Sequence, residues 1–365
     1  MNLIGLKREL SKRGYKVLIF APGDRKIKEK NKDPNVFYYS SIPFFPYPSY
    51  RFALMPYSSE KELRRHKVDI IHSYGMGTMG MAALICSRLI GLPIIGTMPT
   101  NIQEATHYIV GSKRMQEFAK IMVWKYLRFY YNRCDKILAL SKSMAQIYRK
   151  NGLKNVIVTP WGIDLDKYRP GKFRKIPKGG KVNILYLGRI VKEKNLDVVI
   201  KSALLVAEKE NVHFTIVGGG PAEQFYKDMV KKEGVEHLFT FVGPVKHDET
   251  VKYYHSADIF VFPSIFETQG LAGLEAMACG LPVVGANYLA IPDFVKDGYN
   301  GYLFDPFDPD DCAEKVIKTI KERKKLREGA IKTSRKYSLS RCTEILLKVY
   351  RQVLKRKREI LKNDF

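Results

Sequence analysis

Two glutamates in one glycine-rich stretch are the first candidates for chemistry. The stretch SIFETQGLAGLEAMACGLPVV, residues 264–284, carries Glu267 and Glu275 with seven residues between them. Glu267 follows a strand-like run, and Glu275 lies inside a predicted helix that ends at Gly280. The start of that helix presents free backbone N–H groups and a partial positive charge, which suit a diphosphate. The two carboxylates therefore need not form an acid–base pair: Glu275 suits the hydroxyls of a ribose, and Glu267 can reach a sugar hydroxyl.

Two cations follow another predicted strand, in YLGRIVKEKN at residues 186–195. Arg189 offers a planar fork of donors and Lys194 a compact charge, and both suit phosphate oxygens. Taken alone, these are also ordinary solvated loop charges, and the two glutamates also fit an unrelated pair. The sequence of strand, glycine-rich turn, capped helix and LPVV favours a site over that alternative. Arg189 and Lys194 would then stabilise a leaving diphosphate in metal-independent glycosyl transfer.

The elements that must position these residues alternate between strand and helix, which predicts an α/β fold with parallel sheets. A Pro/Gly/Lys-rich linker at residues 168–180 separates two such series, and in open parallel sheets ligands bind at the carboxyl ends of the strands. We expect a site in a cleft between the two halves. The predicted strands are residues 16–22, 68–73, 92–97, 136–141, 155–164, 182–188, 213–218, 239–243, 259–264 and 281–286.

Chain length, composition, cysteine count and net charge narrow the class of protein. A chain of 365 residues with 45% hydrophobic residues can form two ordinary domains. The five cysteines are scattered, with no CxxC spacing, so the pattern predicts neither a disulfide framework nor a zinc site and fits a reducing compartment. The formal net charge of +26 would attract nucleic acid, anionic lipid or phosphorylated substrates. No nucleic-acid motif accompanies it, so we expect no nucleic-acid partner.

At this point several motifs carry a resemblance to a known family. GRIVKEKN, VGGGP, FVGPV, FPSIFETQGLAGLEAMACGLPVV and DGYNGYLFDPFD resemble the retaining glycosyltransferases of family four, which have the GT-B fold. The resemblance is most specific in residues 182–307 and looser before residue 162. Within the family the chain looks most similar to lipid glycosyltransferases, such as diacylglycerol glucosyltransferases and phosphatidylinositol glycosyltransferases. The resemblance implies two doubly wound, Rossmann-like domains that face each other across a cleft.

The resemblance also implies roles for individual residues. Glu267, Arg189 and Lys194 would be catalytic, with Glu267 near the anomeric carbon of the donor sugar and the two cations on its diphosphate. Glu275 would hold the ribose. The backbone amides of Gln269, Gly270 and Leu271 would line the sugar and phosphate site. Gly188, Val242 and Gly243 would complete the donor site, the last two near the base. The donor would be a UDP- or GDP-sugar, with no cofactor and no metal. We read the DxD-like strings at Asp164–Asp166 and Asp308–Asp310 as a turn and as a helix N-cap.

Two departures from the family pattern stand out. Where the family has Tyr-His-Thr after a strand, this chain has Met98-Pro99-Thr100, so Pro99 replaces the histidine usually placed beside the reacting sugar. His107 and His72 are possible substitutes, although a structural role fits both. The chain also opens with a helical pattern at MNLIGLKRELSKRG, where the family has a strand. We therefore expect that the first strand of the domain lies roughly two dozen residues upstream, or that this domain has rearranged.

The acceptor side is less specific. We expect it to involve Phe45, in an aromatic, proline-rich loop at residues 41–57, and Thr100, His107 and Tyr108. The predicted helix at residues 112–135 mixes aromatic and basic residues, which suits either a membrane interface or a core helix with extended lysines. The basic C-terminal helix fits packing on the body or contact with an anionic membrane.

We expect an acceptor-side domain over residues 1–162, a donor domain over 163–335 and a basic helix over 336–365. The expected activity is hexose transfer from a nucleotide sugar to a lipid or lipid-linked acceptor. The chain would be cytoplasmic and peripheral to the inner, anionic face of the cell membrane. The alternatives are the same transfer to a soluble saccharide, or a non-catalytic GT-B scaffold that binds a nucleotide sugar.

Overall fold

The computed structural model describes residues 3–23, 27, 33–44, 47–54, 58–99, 113–172 and 179–363. The chain divides into two compact units: Met1–Pro160 together with Thr343–Phe365, and Trp161–Cys342. The last helix, Leu339–Asn363, begins in the second unit, and most of its residues belong to the first.

The first unit alternates strands and helices along most of its length. Its elements are α1 (Leu3–Lys12), β1 (Ile19–Gly23), β2 (Val36–Phe44), β3 (Tyr47–Ala53), α2 (Ser59–Arg65), β4 (Ile71–Tyr74), α3 (Thr78–Leu89), β5 (Ile94–Thr97), α4 (Lys113–Tyr131), β6 (Lys136–Ala139), α5 (Lys142–Lys150) and β7 (Val156–Val158). The predicted opening helix is present as α1, and Gly14 follows it with a φ of +83°.

The strands of the first unit form two sheets in the described part of the chain. β4, β5, β6 and β7 pair in that order and all run parallel, while β1, β2 and β3 form a separate sheet.

The aromatic, proline-rich stretch at residues 41–57 is not the loop we expected. Much of it belongs to β2 and β3, which pair antiparallel, with Pro43 opposite Arg51. Tyrosine, phenylalanine and isoleucine favour strands, and Pro48 lies in β3, an edge strand, where a missing backbone N–H is tolerated.

The second unit has a single six-stranded sheet. Its elements are β8 (Val182–Leu187), α6 (Leu196–Ala207), β9 (Val212–Val217), α7 (Glu223–Lys232), β10 (Phe239–Gly243), α8 (Thr250–Ser256), β11 (Ile259–Phe262), α9 (Leu271–Ala278), β12 (Val283–Ala286), α10 (Ile291–Phe294), β13 (Gly301–Phe304) and α11 (Pro309–Lys336). The strand order is β10-β9-β8-β11-β12-β13, and every pair is parallel. This is the doubly wound arrangement that brings the carboxyl ends of all six strands to one edge.

Burial explains why these runs form strands. All four residues of β11 and of β12 are buried, as expected for strands covered by helices on both faces. α11 begins as predicted: the Asp308 carboxylate accepts hydrogen bonds from the backbone N–H groups of Asp310 and Asp311, and Pro309 occupies the first helical position. Such a cap typically contributes about 1 kcal/mol.

The C-terminal helix α12 (Leu339–Asn363) packs through its apolar stripe. Leu346, Val349 and Val353 form a cluster with Ile95 of β5 and Leu138 of β6. Among the two interpretations of this helix, its apolar residues therefore support packing on the first unit.

His72, in the middle of β4, links this strand to the C-terminal helix. Its imidazole is hydrogen-bonded to the Tyr350 hydroxyl of α12 at 2.6 Å and to the Thr97 hydroxyl at 2.7 Å. Burial lowers the pKa of His72 to about 3, so the ring is neutral at physiological pH. Both ring nitrogens are occupied inside the first unit, which agrees with the structural role.

Candidate active site

Three glycines end three neighbouring strands of the second unit. Gly188 follows β8, Gly218 follows β9 and Gly243 ends β10. The Gly188 N–H donates to Val217 O at 3.0 Å, and the Gly218 N–H donates to Gly243 O at 3.0 Å. A Cβ on Gly218, whose φ is +135°, would lie 1.8 Å from the Gly188 carbonyl oxygen, so only glycine fits there. The three glycines are half-buried, and because they carry no side chain, a ligand could approach their backbone closely at these strand ends.

Lys194 and Glu267 form an ion pair at the same edge of the sheet. Lys194 ends a single 3₁₀ turn after β8, and Glu267 lies in the loop after β11. The Lys194 ammonium also donates to the Ser264 hydroxyl at 3.4 Å, and the side chains of Lys194 and Glu267 are 20% and 14% exposed. The two loops are held together by their backbones, since the Ile265 N–H donates to Glu193 O at 3.0 Å. Two predicted site residues, 73 positions apart, are therefore neighbours.

The turn before α9 depends on Gly270. Gly270 is the N-cap residue of α9 with φ +86° and ψ 52°, a left-handed conformation. A Cβ there would lie 2.9 Å from ring atoms of both Phe262 and Phe294. Leu271 is the first helical residue, so its backbone N–H has no partner within the helix. The helix start therefore presents N–H groups and the positive end of the helix dipole close to Glu267 in sequence.

Gln269 has a second task that its sequence context did not reveal. Its side chain is buried, and its amide oxygen accepts from the Trp161 N–H while its amide nitrogen donates to the Trp161 carbonyl oxygen, both at 2.8 Å. This two-point contact fixes the loop before α9 to the segment that begins the second unit. The backbone amide of Gln269 keeps its predicted donor-site role as a prediction.

Glu275 lies one turn into α9, next to the buried side chains of Tyr168 and Tyr254, which we call the tyrosine wall. Its Oε2 accepts a hydrogen bond from the Tyr254 hydroxyl at 3.2 Å. Burial raises the pKa of the Glu275 carboxyl to about 7, while hydrogen bonds from Tyr254 and Tyr168 and the charge of Lys167 act in the opposite direction. A carboxyl group whose pKa lies near 7 is partly protonated at neutral pH, so it can both accept and donate hydrogen bonds.

The tyrosine wall was missed by the sequence analysis. Tyr168 and Tyr254 are buried with ring centroids 5.9 Å apart in a T-shaped contact, and the Tyr168 hydroxyl is 3.2 Å from that of Thr250. Burial raises the pKa of both phenols, so both remain neutral donors. The Lys167 ammonium donates to His247 O at 2.8 Å, which joins the residue just before the linker to the segment after β10. Val242 and Gly243 lie at the end of that same strand.

Arg189 completes the set of predicted donor residues. It directly follows Gly188, its side chain is exposed, and its carbonyl oxygen accepts from the Tyr186 hydroxyl at 2.7 Å. Within the part of the chain that the structure describes, no acidic side chain forms an ion pair with its guanidinium. This distinguishes it from Lys194, whose charge is already balanced.

The remaining predicted positions divide into two groups. Asp164 shapes a turn by accepting from the Asp166 N–H at 3.1 Å. Among the described residues, no cluster of three or more histidine, cysteine or acidic side chains is arranged to hold a metal ion. The acceptor-side predictions Phe45, Thr100, His107 and Tyr108 lie outside the described residues. Met98 is described: it is buried, and its carbonyl accepts from the Tyr148 hydroxyl at 3.2 Å.

Comparison with known proteins gives the context of this arrangement. Residues 3–167 match the model of Glycosyltransferase Family 4, and residues 169–337 match that of Glycosyl transferases group 1. The chain is 28% identical to alpha-monoglucosyldiacylglycerol synthase of Streptococcus pneumoniae over 82% of this chain and 70% of that protein.

Two solved structures share the fold. Sucrose-phosphate synthase of Thermosynechococcus elongatus superposes with a TM-score of 0.75 at 18% identity, covering 97% of this chain and 93% of the other. The Anabaena protein HepE, solved in complex with UDP, superposes with a TM-score of 0.73 at 16% identity, covering 96% and 95%. The α/β units with their parallel sheets thus match GT-B structures. With two family models that together span residues 3–337 apart from one position, the chain belongs to the GT-B glycosyltransferases that combine a family 4 domain with a group 1 domain.

Proposed function

We propose that this glycosyltransferase moves a hexose, with retention of anomeric configuration, from UDP- or GDP-hexose to a lipid or lipid-linked acceptor. It would act at the inner surface of the cell membrane and would not require a metal ion. The observation that carries the proposal is the Lys194–Glu267 ion pair beside the start of α9, with Glu275 one turn further along that helix.

The spacing of these groups suits the parts of a nucleotide sugar. The N–H groups at the start of α9 and the cation of Arg189 would bind the diphosphate, and Glu275 would accept hydrogen bonds from ribose hydroxyls. The glycine edge formed by Gly188, Gly218 and Gly243 leaves backbone for the base and phosphates to approach. HepE, which has the same fold, was solved with UDP, and this supports a uridine nucleotide as the first donor to test.

The ion pair has a clear role in such a transfer. In the reaction a bond forms between the acceptor oxygen and the anomeric carbon, and the bond from that carbon to the diphosphate breaks. The diphosphate leaves with the electron pair, and its departing oxygen takes up the proton that the acceptor hydroxyl loses. Arg189 and Lys194 would stabilise the negative charge that develops on the leaving group, and Glu267 would hold Lys194 in place and bind a hydroxyl of the sugar.

The lipid acceptor rests on two observations. The similar protein of Streptococcus pneumoniae is named for a glucosyldiacylglycerol product, and this chain has a formal net charge of +26. Anionic membranes attract basic surfaces. Among the described residues no helix is long and apolar enough to cross a membrane.

The test is a transfer assay with EDTA present. Labelled UDP-hexoses and GDP-hexoses are supplied with phosphatidylcholine/phosphatidylglycerol vesicles that contain diacylglycerol, or with soluble sugars instead. We expect labelled glycolipid from one nucleotide, with an α-linked product by NMR from an α-linked donor, and a loss of about 100-fold or more in Glu267→Gln.

Other outcomes would redirect the proposal. Transfer to soluble sugars alone would favour the second candidate, a saccharide acceptor. Sucrose-phosphate synthase, which shares the fold, is the reason to keep this candidate. Donor binding without any transfer would favour the non-catalytic scaffold. An inverted product, or a strict requirement for added metal, would contradict the proposed chemistry.

A further inference from the structure

Helix α4 carries a row of exposed apolar side chains along its length. Five of these side chains recur at spacings of three and four, which places them on one side of the helix, and we call them the α4 stripe. The α4 stripe consists of Met115 (60% exposed), Phe118 (65%), Met122 (46%), Tyr126 (38%) and Phe129 (46%). Ile121, 54% exposed, lies on the neighbouring part of the surface.

The C-terminal turns of the same helix are firmly packed. Leu127, Tyr130 and Tyr131 are fully buried in the core of the first unit, with β5 and β6 residues such as Ile94 and Ile137. The Tyr130 hydroxyl donates to the Ser73 hydroxyl at 2.8 Å. The helix is thus fixed through its C-terminal turns, and the α4 stripe is exposed on its outer side, where the Tyr126 hydroxyl donates to Met76 O. Contiguous apolar surface of this kind marks an interaction site.

The charges around the α4 stripe are almost all positive. α4 contains Lys113, Arg114, Lys120, Lys125 and Arg128, and its one acidic residue is Glu117. Arg114 and Lys125 are exposed; by helical spacing Arg114 lies one turn from Phe118, and Lys125 lies one turn from both Met122 and Phe129. A helix with an apolar face flanked by lysine and arginine suits the boundary between lipid headgroups and acyl chains. Pairing of two copies through the same face would bring these cations against each other.

We propose that the α4 stripe seats the protein on an anionic lipid bilayer, with its apolar side chains between the headgroups and Arg114 and Lys125 on the lipid phosphates. This inference rests on the proposed function and identifies the surface that would bring the enzyme to its acceptor. The occupant is a bilayer surface, because the stripe runs along a 19-residue helix and is flanked by cations that complement anionic headgroups.

The first experiment measures binding of the full chain to vesicles of 30% phosphatidylglycerol and 70% phosphatidylcholine by co-sedimentation. We expect Phe118→Ser/Met122→Ser to weaken binding at least tenfold, because the apolar contact with the acyl region is lost. Arg114→Gln and Lys125→Gln should each weaken it about fivefold, with less effect on pure phosphatidylcholine. The matched control is Leu204→Ser/Leu205→Ser on α6, whose side chains are 52% and 37% exposed and which should bind normally.

A second readout keeps the test independent of folding. All five native cysteines are buried, so Met122→Cys can be labelled selectively with an environment-sensitive dye. Vesicles should shift its emission to the blue, whereas the same dye at Leu204→Cys should not respond. Unchanged vesicle binding in the α4 double variant, or no dye response at residue 122, would overturn the inference.

Two further outcomes are distinguishable. A dye response that follows protein concentration in the absence of vesicles, with a dimer by light scattering, would assign the stripe to a second copy instead. Donor binding is measured in parallel by thermal shift without vesicles. Vesicle binding without donor binding would sink the proposed function and leave the α4 stripe standing, whereas donor binding without vesicle binding would do the reverse.

Discussion

The ammonium group of Lys194 contacts the carboxylate of Glu267 across the ends of two adjacent strands, β8 and β11. Each side chain lies in a separate loop, and the pair is largely shielded from water. The contact places a cation and an anion where a diphosphate and a sugar hydroxyl are proposed to bind, so the charge of Lys194 is held in position before any donor arrives. Positioning of this kind lowers the reorganisation needed in the reaction.

The first prediction concerns this pair in the absence of ligand. Lys194→Met and Glu267→Gln should each destabilise the fold by about 1–3 kcal/mol, because each leaves a shielded partner without its counter-charge. The double variant should cost less than the sum of the two, with a coupling of about 1 kcal/mol or more in urea unfolding. The exposed pair Glu328–Lys332 on α11 is the control and should show almost no coupling. Simple additivity at Lys194 and Glu267 would contradict the contact.

The second prediction concerns pH and Glu275. The pKa of its carboxyl rises from 4.5 to about 7 on folding. The folded chain therefore holds this proton more tightly than the unfolded chain, and stability falls as pH rises from about 4.5 through 7. Glu275→Gln removes that penalty. Its stability relative to the natural chain should grow by about 2–3 kcal/mol between pH 5 and pH 8, an upper range for a partly buried group.

Chemical unfolding at several pH values checks this, with the exposed Glu328→Gln as the control that should show no such trend. A Glu275→Gln difference that stays constant from pH 5 to pH 8 would mean that the carboxyl titrates normally in the folded chain.

The third prediction concerns the turn before α9. Gly270→Ala should destabilise the protein by about 2–4 kcal/mol, because it combines a left-handed backbone with a clash against Phe262 and Phe294. Gly234→Ala is the matched control: its φ is +69°, but a Cβ there meets no atom within 4 Å. We expect it to cost only about 1 kcal/mol. Equal effects at the two glycines, measured by thermal unfolding, would argue against the packing described around α9.

The fourth prediction concerns the contact between Gln269 and Trp161. Gln269→Met has a similar volume but leaves a backbone N–H and C=O of Trp161 without their partners, which should cost about 2–4 kcal/mol. The exposed Gln224→Met, which loses a contact with Asp228, should change stability by less than about 0.5 kcal/mol. If Gln269→Met is as stable as the natural chain, the contact does not hold the loop.

Much of the second unit could be predicted because its signals are local. The runs VNILYL and IFVF are apolar at nearly every position, and this alone indicates strands covered on both faces. The Asp308 cap and the glycine before α9 are likewise predictable from residues that are adjacent in the sequence. The family resemblance then assigned roles to Glu267, Glu275, Arg189 and Lys194 that no single pattern could.

What could not be predicted depends on contacts between distant positions. The partner of the Gln269 side chain lies 108 positions away, and the tyrosine wall around Glu275 joins the linker to α8. The sequence predicts a loop where β2 and β3 pair, because prolines and aromatic residues obscure the alternation of polar and apolar side chains. The sequence alone also does not indicate whether the α4 stripe is exposed, because the same spacing would suit a helix buried on both sides.

The central claim is that a nucleotide sugar binds at the strand ends of the second unit, with its ribose on Glu275. Its most direct test is thermal-shift binding of UDP-, GDP- and ADP-sugars without added metal, to the natural chain, Glu275→Ala and Glu328→Ala. We predict that one nucleotide raises the melting temperature by several degrees in the natural chain and in Glu328→Ala, and that Glu275→Ala abolishes the shift. No shift with any donor, or an equal shift in Glu275→Ala, would contradict the account.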